Sequence, residues 1–286
     1  MKINKVIPCG FCKGVINAIE LAKQTKLNNP NEEVYILGMI VHNNHVVNDL
    51  NKLGIKTLDS SHHTKEELID SIDKGIVILS AHGTPNHLKE YIVNKGLTLI
   101  DATCKDVIKT EDNINTCLNQ GKIILYYGMK DHPEAISALS ISDRVHLIND
   151  NTSLDFINNN DNYAFISQTT MSKTKSLELF EKLKTKTQKI EYINGTCNAT
   201  EARQNAIKNI ENCDVLYIIG DKISNNTNKL KDIAIEKGIK KVFLIDNKDE
   251  ININDLNEND NVYIAAGAST PSYLIDEAIN KLNSIF

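Results

Sequence analysis

The sequence predicts an α/β protein built from three similar units with mainly parallel sheets. Three observations carry this. Short β-branched runs alternate with helical patterns along the whole chain. The runs are apolar throughout rather than at every second position, as in strands covered on both faces. Cys12, Cys104 and Cys197 recur at steps of 92 and 93 residues, each just before a helical pattern. Equal steps in equal settings point to three units of one size around a pseudo-threefold axis. The expected bounds are 13–103, 104–194 and 195–286, with 1–12 packing at the centre.

The elements follow in order. In the first unit a helix is expected from Gly14 to Lys26, a strand from Val34 to Leu37 and a helix from Asn43 to Leu53. A strand from Gly75 to Ser80, a helix from Asn86 to Lys95 and a strand from Leu97 to Asp101 complete it. The second unit opens on a helix from Asp106 to Leu118 and a strand from Lys122 to Tyr127. The polar run 158–162 reads as a surface loop. It precedes a strand from Tyr163 to Ser167, a helix from Lys173 to Lys184 and a strand from Lys189 to Ile193. The third unit has helices from Thr200 to Asn212, Asn226 to Lys237 and Pro271 to Leu282. Its strands run from Val215 to Gly220, Lys241 to Asp246 and Val262 to Ala266, and the stretch 247–261 is a second polar loop.

Composition narrows the function. The 286 residues are 41% hydrophobic and 24% charged, with a formal net charge of -5. That is an ordinary globular chain able to bury a sizeable core, and its balance argues against coating nucleic acid. Aromatics are 5% and Trp is absent, which argues against a base-stacking platform. Residues 1–8 are too polar for a signal peptide, and no apolar run reaches a membrane span. The expected setting is the cytoplasm, where six cysteines serve as ligands, reactive thiols or core residues rather than disulfides.

A cysteine at a helix start meets unsatisfied N–H groups and the positive end of the dipole, which favour the metal-binding thiolate. Three such thiolates suit a soft metal centre. An iron–sulfur cube normally takes four cysteines, so three leave one iron open. Cys117 and Cys213 read as core packing. Cys9 forms a Cys-x-x-Cys with Cys12, so a thioredoxin-type dithiol is the alternative chemistry, although it gives Cys104 and Cys197 no role.

Polar clusters follow the strands: Val41-His42-Asn43, Ser80-Ala81-His82-Gly83, His132-Pro133-Glu134, Ser167-Gln168-Thr169-Thr170, Ser224-Asn225-Asn226 and Ala266 to Pro271. Ligands of parallel sheets bind beyond the carboxyl ends of strands, and helix starts rich in hydroxyls and amides hold anions. No Walker or GxGxxG motif occurs. The pattern suits a small phosphate or diphosphate compound. A carboxyl two residues from an imidazole can move a proton. His45, His62, His63, His87 and His146 read as solvent-facing.

Taken in order, Gly10-Phe11-Cys12 with Gly14-Val15, Val41-His42-Asn43, Ser80 to Gly83, Asp101-Ala102-Thr103-Cys104, His132-Pro133-Glu134, Gln168-Thr169-Thr170, Cys197 with Ala199-Thr200, and Ala266 to Ser269 resemble one family. It is the 4-hydroxy-3-methylbut-2-enyl diphosphate reductase family of the methylerythritol phosphate route to isoprenoids. The resemblance spans nearly the whole chain. It implies a trefoil of α/β domains around one 4Fe-4S cluster held by Cys12, Cys104 and Cys197, with its unique iron facing substrate. It implies a diphosphate pocket at His42, His82, His132, Ser224, Asn226 and Ser269. Glu134 would be the proton donor, with Thr169 beside the substrate hydroxyl. The family usually has two serines before the Asn of the anion loop; here Asn225 follows Ser224, and its amide can still donate. Electrons would come from ferredoxin or flavodoxin, since no flavin or nicotinamide motif is present. Readings from other classes are a redox-inactive phosphate-binding protein and a zinc hydrolase using His42, His82 and His132.

Overall fold

The computed structural model describes residues 1–58 and 62–285. The described residues form three four-stranded sheets, all parallel in their pairings. The first contains β2 (Val34–Leu37), β3 (Ile55–Leu58), β4 (Ile76–Leu79) and β5 (Thr98–Asp101), in the order β3-β2-β4-β5. The second contains β6 (Ile123–Tyr127), β7 (Val145–Ile148), β8 (Tyr163–Ser167) and β9 (Ile190–Ile193), in the order β7-β6-β8-β9. The third joins β10 (Val215–Ile219), β11 (Lys241–Ile245) and β12 (Asn261–Ala266) to the N-terminal β1 (Lys2–Lys5), in the order β1-β12-β10-β11. One pattern thus occurs three times. In the third sheet its last strand comes from the start of the chain, with Lys2 beside Asn261 and Lys5 beside Ile264.

The chain divides into two compact units. One comprises 1–16, 42–48 and 198–286, and the other 17–41 and 49–197. In the smaller unit, Val215, Tyr217 and Ile219 turn one way onto α10 (Ser272–Asn283), packing on Leu274, Ile275 and Ala278. Leu216 and Ile218 turn the other way onto α8 (Asn198–Lys208) and α9 (Asn225–Glu236), through Ile207, Leu230 and Ile233. Both strand faces are covered, which explains the unbroken apolar runs.

In the larger unit, Ile124 and Tyr126 pack towards α5 (Lys105–Asn119) and α6 (Pro133–Leu139), while Leu125 and Tyr127 pack towards α7 (Lys173–Lys186). Val77 and Leu79 pack on α3 (Lys65–Asp70) and α4 (Asn86–Asn94). The remaining helices are α1 (Lys13–Asn28) and α2 (Asn44–Lys52). Strands β1, β3 and β7 and helices α3 and α6 are additional to the elements expected from sequence. The polar stretch 247–261 contains two short 3-10 turns, Lys248–Glu250 and Ile253–Asp255.

Candidate functional site

The three spaced cysteines occupy the same local frame. Each immediately precedes the first residue of a helix: Cys12 before α1, Cys104 before α5 and Cys197 before α8. Each backbone N–H donates to a carbonyl two residues beyond a strand end. Cys12 donates to Ala268 after β12 at 3.0 Å, Cys104 to Ala81 after β4 at 3.0 Å, and Cys197 to Thr169 after β8 at 3.1 Å. All three residues are half-buried. The donor set fits an iron–sulfur group: three thiols, the ligand type such clusters take, each placed beside the unsatisfied N–H groups of a helix start. Gly195 permits the third approach, because a Cβ there would lie 1.7 Å from the Ser167 carbonyl oxygen.

The other cysteines behave differently. Cys117 is buried in α5, and Cys213 packs against the third-sheet core. Cys9 packs against the opposite face of that sheet, and burial pushes its thiol up to about 11. A dithiol centre needs a depressed thiol, so the geometry argues against the Cys9–Cys12 redox reading. Among the described residues no three His, Cys, Asp or Glu side chains are grouped to hold a single metal ion. A cluster makes a different demand, since each cysteine binds a different iron.

Within the larger unit, His82, His132, Glu134, Thr169, Cys104 and Cys197 form a linked set. Cys104 is tied to the loop carrying His82 through Ala81. The rings of His82 and His132 meet edge to face, 5.6 Å apart. His132 caps α6, its Nδ1 accepting the Glu134 N–H at 3.1 Å. In the neutral ring that leaves the proton on Nε2, as a donor. Glu134 is buried, only 3% exposed. Its Oε1 accepts the Thr169 N–H and its Oε2 accepts the Thr169 hydroxyl, both at 2.8 Å. Tyr126 donates its hydroxyl to Oε1 at 3.3 Å. Burial pushes Glu134 up to about 7, against the opposing pull of these donors. Such a carboxyl can both hold and release a proton near neutral pH.

In the smaller unit, Cys12, His42, Ser224, Asn225, Asn226 and Ser269 are held together by a second network. Ser269 Oγ donates to the His42 carbonyl at 3.0 Å. Asn43 caps α2, its Oδ1 accepting from the backbone N–H groups of His45 and Val46. The buried carboxylate of Asp221 accepts the Asn44 backbone N–H at 2.9 Å and its side-chain amide at 2.8 Å. Ser224 caps α9, its Oγ accepting the Thr227 N–H. Asn226 is 5% exposed, and neither its Nδ2 nor its Oδ1 has a hydrogen-bond partner. A buried amide left this way costs free energy unless a ligand completes it, so Asn226 marks a polar ligand position. Asn225 is buried beside it in the first turn of α9. Burial holds His42 below the usual imidazole range, with the charge of Asp221 opposing.

His45 departs from the solvent-facing expectation. Its Nε2 lies 3.0 Å from Asp246 Oδ2, because α2 begins against the end of β11 within this unit. His63 and His87 are exposed, as expected. Sequence reasoning missed Asp221, Asn44 and Tyr126. The signals for the first two lie 177 residues apart. Tyr126 carried a weak one, a polar tip inside an apolar strand.

Comparison with known proteins gives a single direction. The family model described as LytB protein matches residues 3–283. The 4-hydroxy-3-methylbut-2-enyl diphosphate reductase of Malacoplasma penetrans (strain HF-2) is 40% identical over 98% of this chain and 96% of its own length. The protein of the same name from Bacillus cereus (strain AH820) is 38% identical over 98% of this chain and 89% of its own. The solved E-1-hydroxy-2-methyl-but-2-enyl-4-diphosphate reductase of Plasmodium falciparum superposes with a TM-score of 0.91 at 28% identity. That match covers 99% of this chain and 88% of the other. A second solved reductase, described as the terminal enzyme of the non-mevalonate pathway, gives 0.69 at 29% identity and covers 99% of each chain. With a family match over nearly its whole length and relatives this similar, the chain belongs to the LytB protein family.

Proposed function

We propose that this chain is a 4-hydroxy-3-methylbut-2-enyl diphosphate reductase, and that it converts this substrate to isopentenyl and dimethylallyl diphosphate. Two electrons and two protons enter, the allylic C–O bond breaks, and the oxygen leaves as water. The observation that carries the reading is the Glu134–Thr169 pair. It joins a buried carboxyl poised near neutrality to the loop whose Thr169 carbonyl accepts the Cys197 N–H.

Cys12, Cys104 and Cys197 are the proposed holders of one 4Fe-4S cluster, and their shared helix-start frame supports that role. When bound, such a cluster supplies electrons and an open iron for the substrate oxygen. The chain's own residues do the rest. His42, His82, His132, Ser224, Asn225, Asn226 and Ser269 are the proposed diphosphate contacts. Asn226 offers its uncommitted amide, and the first turn of α9 adds N–H groups. His132 offers Nε2–H. Ser269 must turn its hydroxyl from the His42 carbonyl to donate to a phosphate oxygen. His42 gains a proton more readily once a phosphate lies beside it. Thr169 faces the substrate hydroxyl, and Glu134 delivers the proton where the C–O bond breaks.

The domain bounds 13–103, 104–194 and 195–286 are proposed on the same cysteine spacing. Among the described residues no helix is long and apolar enough to cross a membrane. A cytoplasmic setting with ferredoxin or flavodoxin as electron donor is part of the proposal.

Because the protonated Glu134 is the donor, kcat should fall as pH rises through about 7. A pH series of saturated rates checks this; a rate flat from pH 6 to 9 contradicts it. The function itself is tested by incubating anaerobically reconstituted enzyme with substrate and a chemical reductant. Both isopentenyl and dimethylallyl diphosphate are expected, and substrate binding with no reduction overturns the assignment.

A further inference from the structure

Strand β6 carries two consecutive tyrosines on opposite faces. Tyr127 turns towards α7 and donates to Asp150 at 2.8 Å. Tyr126 turns towards α5 and α6, is wholly buried, and donates to Glu134 Oε1. A buried tyrosine hydroxyl needs a partner, and a carboxylate is a strong one. The ring is also built into the loop that leads to His132 and Glu134. A Cβ on Gly128 would lie 2.9 Å from the Tyr126 ring and 3.1 Å from Gln168 Oε1. Gln168 Oε1 in turn accepts the Met129 N–H at 3.0 Å. Tyr126 therefore shapes both the path of this loop and the surroundings of its carboxyl.

We propose that Tyr126 is a positioning residue for the proton donor. Its hydroxyl holds the Glu134 carboxyl in register with Thr169 and favours the charged form, easing proton release. This rests on the reading of Glu134 as donor. Four groups around that carboxyl carry its electrostatics. They are Thr169 from the loop after β8, Tyr126 from β6, His132 at the head of α6, and Glu111 from α5. Glu111 accepts the Ser137 hydroxyl at 2.7 Å, and its negative charge opposes ionisation of Glu134. Thr169 and Tyr126 offer direct hydrogen bonds to the carboxyl oxygens. Losing Tyr126 thus removes a donor to the carboxyl and leaves the repulsion from Glu111 in place.

The test is Tyr126→Phe in the cluster-loaded enzyme, which keeps the ring and so the packing. The midpoint at which kcat falls should move to higher pH by roughly half to one unit, a threefold to tenfold tighter hold on the proton. KM should change by less than about twofold. An infrared titration of the Glu134 carboxyl, assigned by its loss in Glu134→Gln, should move by the same amount. Tyr127→Phe, which loses a hydroxyl on the opposite face, should move neither. If the infrared midpoint of Tyr126→Phe stays where it is in the unsubstituted enzyme, or moves down, the proposal fails. If the infrared midpoint moves up and the kcat profile does not, Tyr126 still governs Glu134, and the donor role of Glu134 falls instead.

Discussion

Serine in place of any one of Cys12, Cys104 or Cys197 should remove the visible absorbance and the reductase activity together. The reason is chemical. Iron in such clusters is held by the soft sulfur of cysteine, and the hard hydroxyl of serine is a poor substitute. The loss should exceed about a hundredfold in kcat, because a missing ligand leaves the group that carries the electrons unheld. All three substitutions should have the same effect, since the three cysteines share one backbone frame. Cys117→Ser is the control. That residue is buried in α5 among apolar neighbours, so the change should lower stability and leave the absorbance intact. Anaerobic spectra and rates of the four variants decide the matter. Full absorbance in any of the first three would remove that cysteine from the ligand set.

Glu134→Gln should lower kcat by about a hundredfold to ten-thousandfold and leave KM within about threefold. Glutamine keeps the shape, and its oxygen can still accept the Thr169 N–H. It cannot deliver a proton. Because the buried carboxyl is bonded to Thr169 and Tyr126, and the backbone N–H that meets His132 is unchanged by the substitution, binding should survive. Steady-state rates with a tight-binding check on the diphosphate separate the two effects. Turnover near that of the unsubstituted enzyme would end the proton role. Folding carries a linked signature. The carboxyl holds its proton more tightly in the fold than the ordinary value of 4.5. Its contribution to stability is therefore full below about 4.5 and is lost as pH rises through about 7.

The parts of the fold legible in the sequence were those that burial writes locally. Strands such as Ile76–Leu79, Tyr163–Ser167 and Val215–Ile219 are buried at every position, so their apolar runs stand out. Strands β3 and β7 lie at sheet edges and mix exposed with buried residues over four positions, which leaves no run to see. Helix α6 is short and begins inside the His132-Pro133-Glu134 motif, where the cap and the first-turn proline are the only signals. Helix α3 did carry a readable mark, the reciprocal capping pair of Thr64 and Glu67.

The candidate site divides along the same line. The common helix-start frame of Cys12, Cys104 and Cys197 was visible because a repeated fold repeats its local context. His45 was misjudged because its partner, Asp246, is 201 residues away. Asp221 gives no local sign that it will seize Asn44. Tyr126 reads as one more apolar strand residue until the fold brings Glu134 within reach of its hydroxyl.

The measurement that bears most directly on the central claim is the iron and sulfide content of the chain after anaerobic reconstitution, taken with its visible spectrum. About four iron and four sulfide per chain, with a broad brown absorbance, are expected. A colourless protein, or one that takes up zinc and no sulfide, would contradict the account.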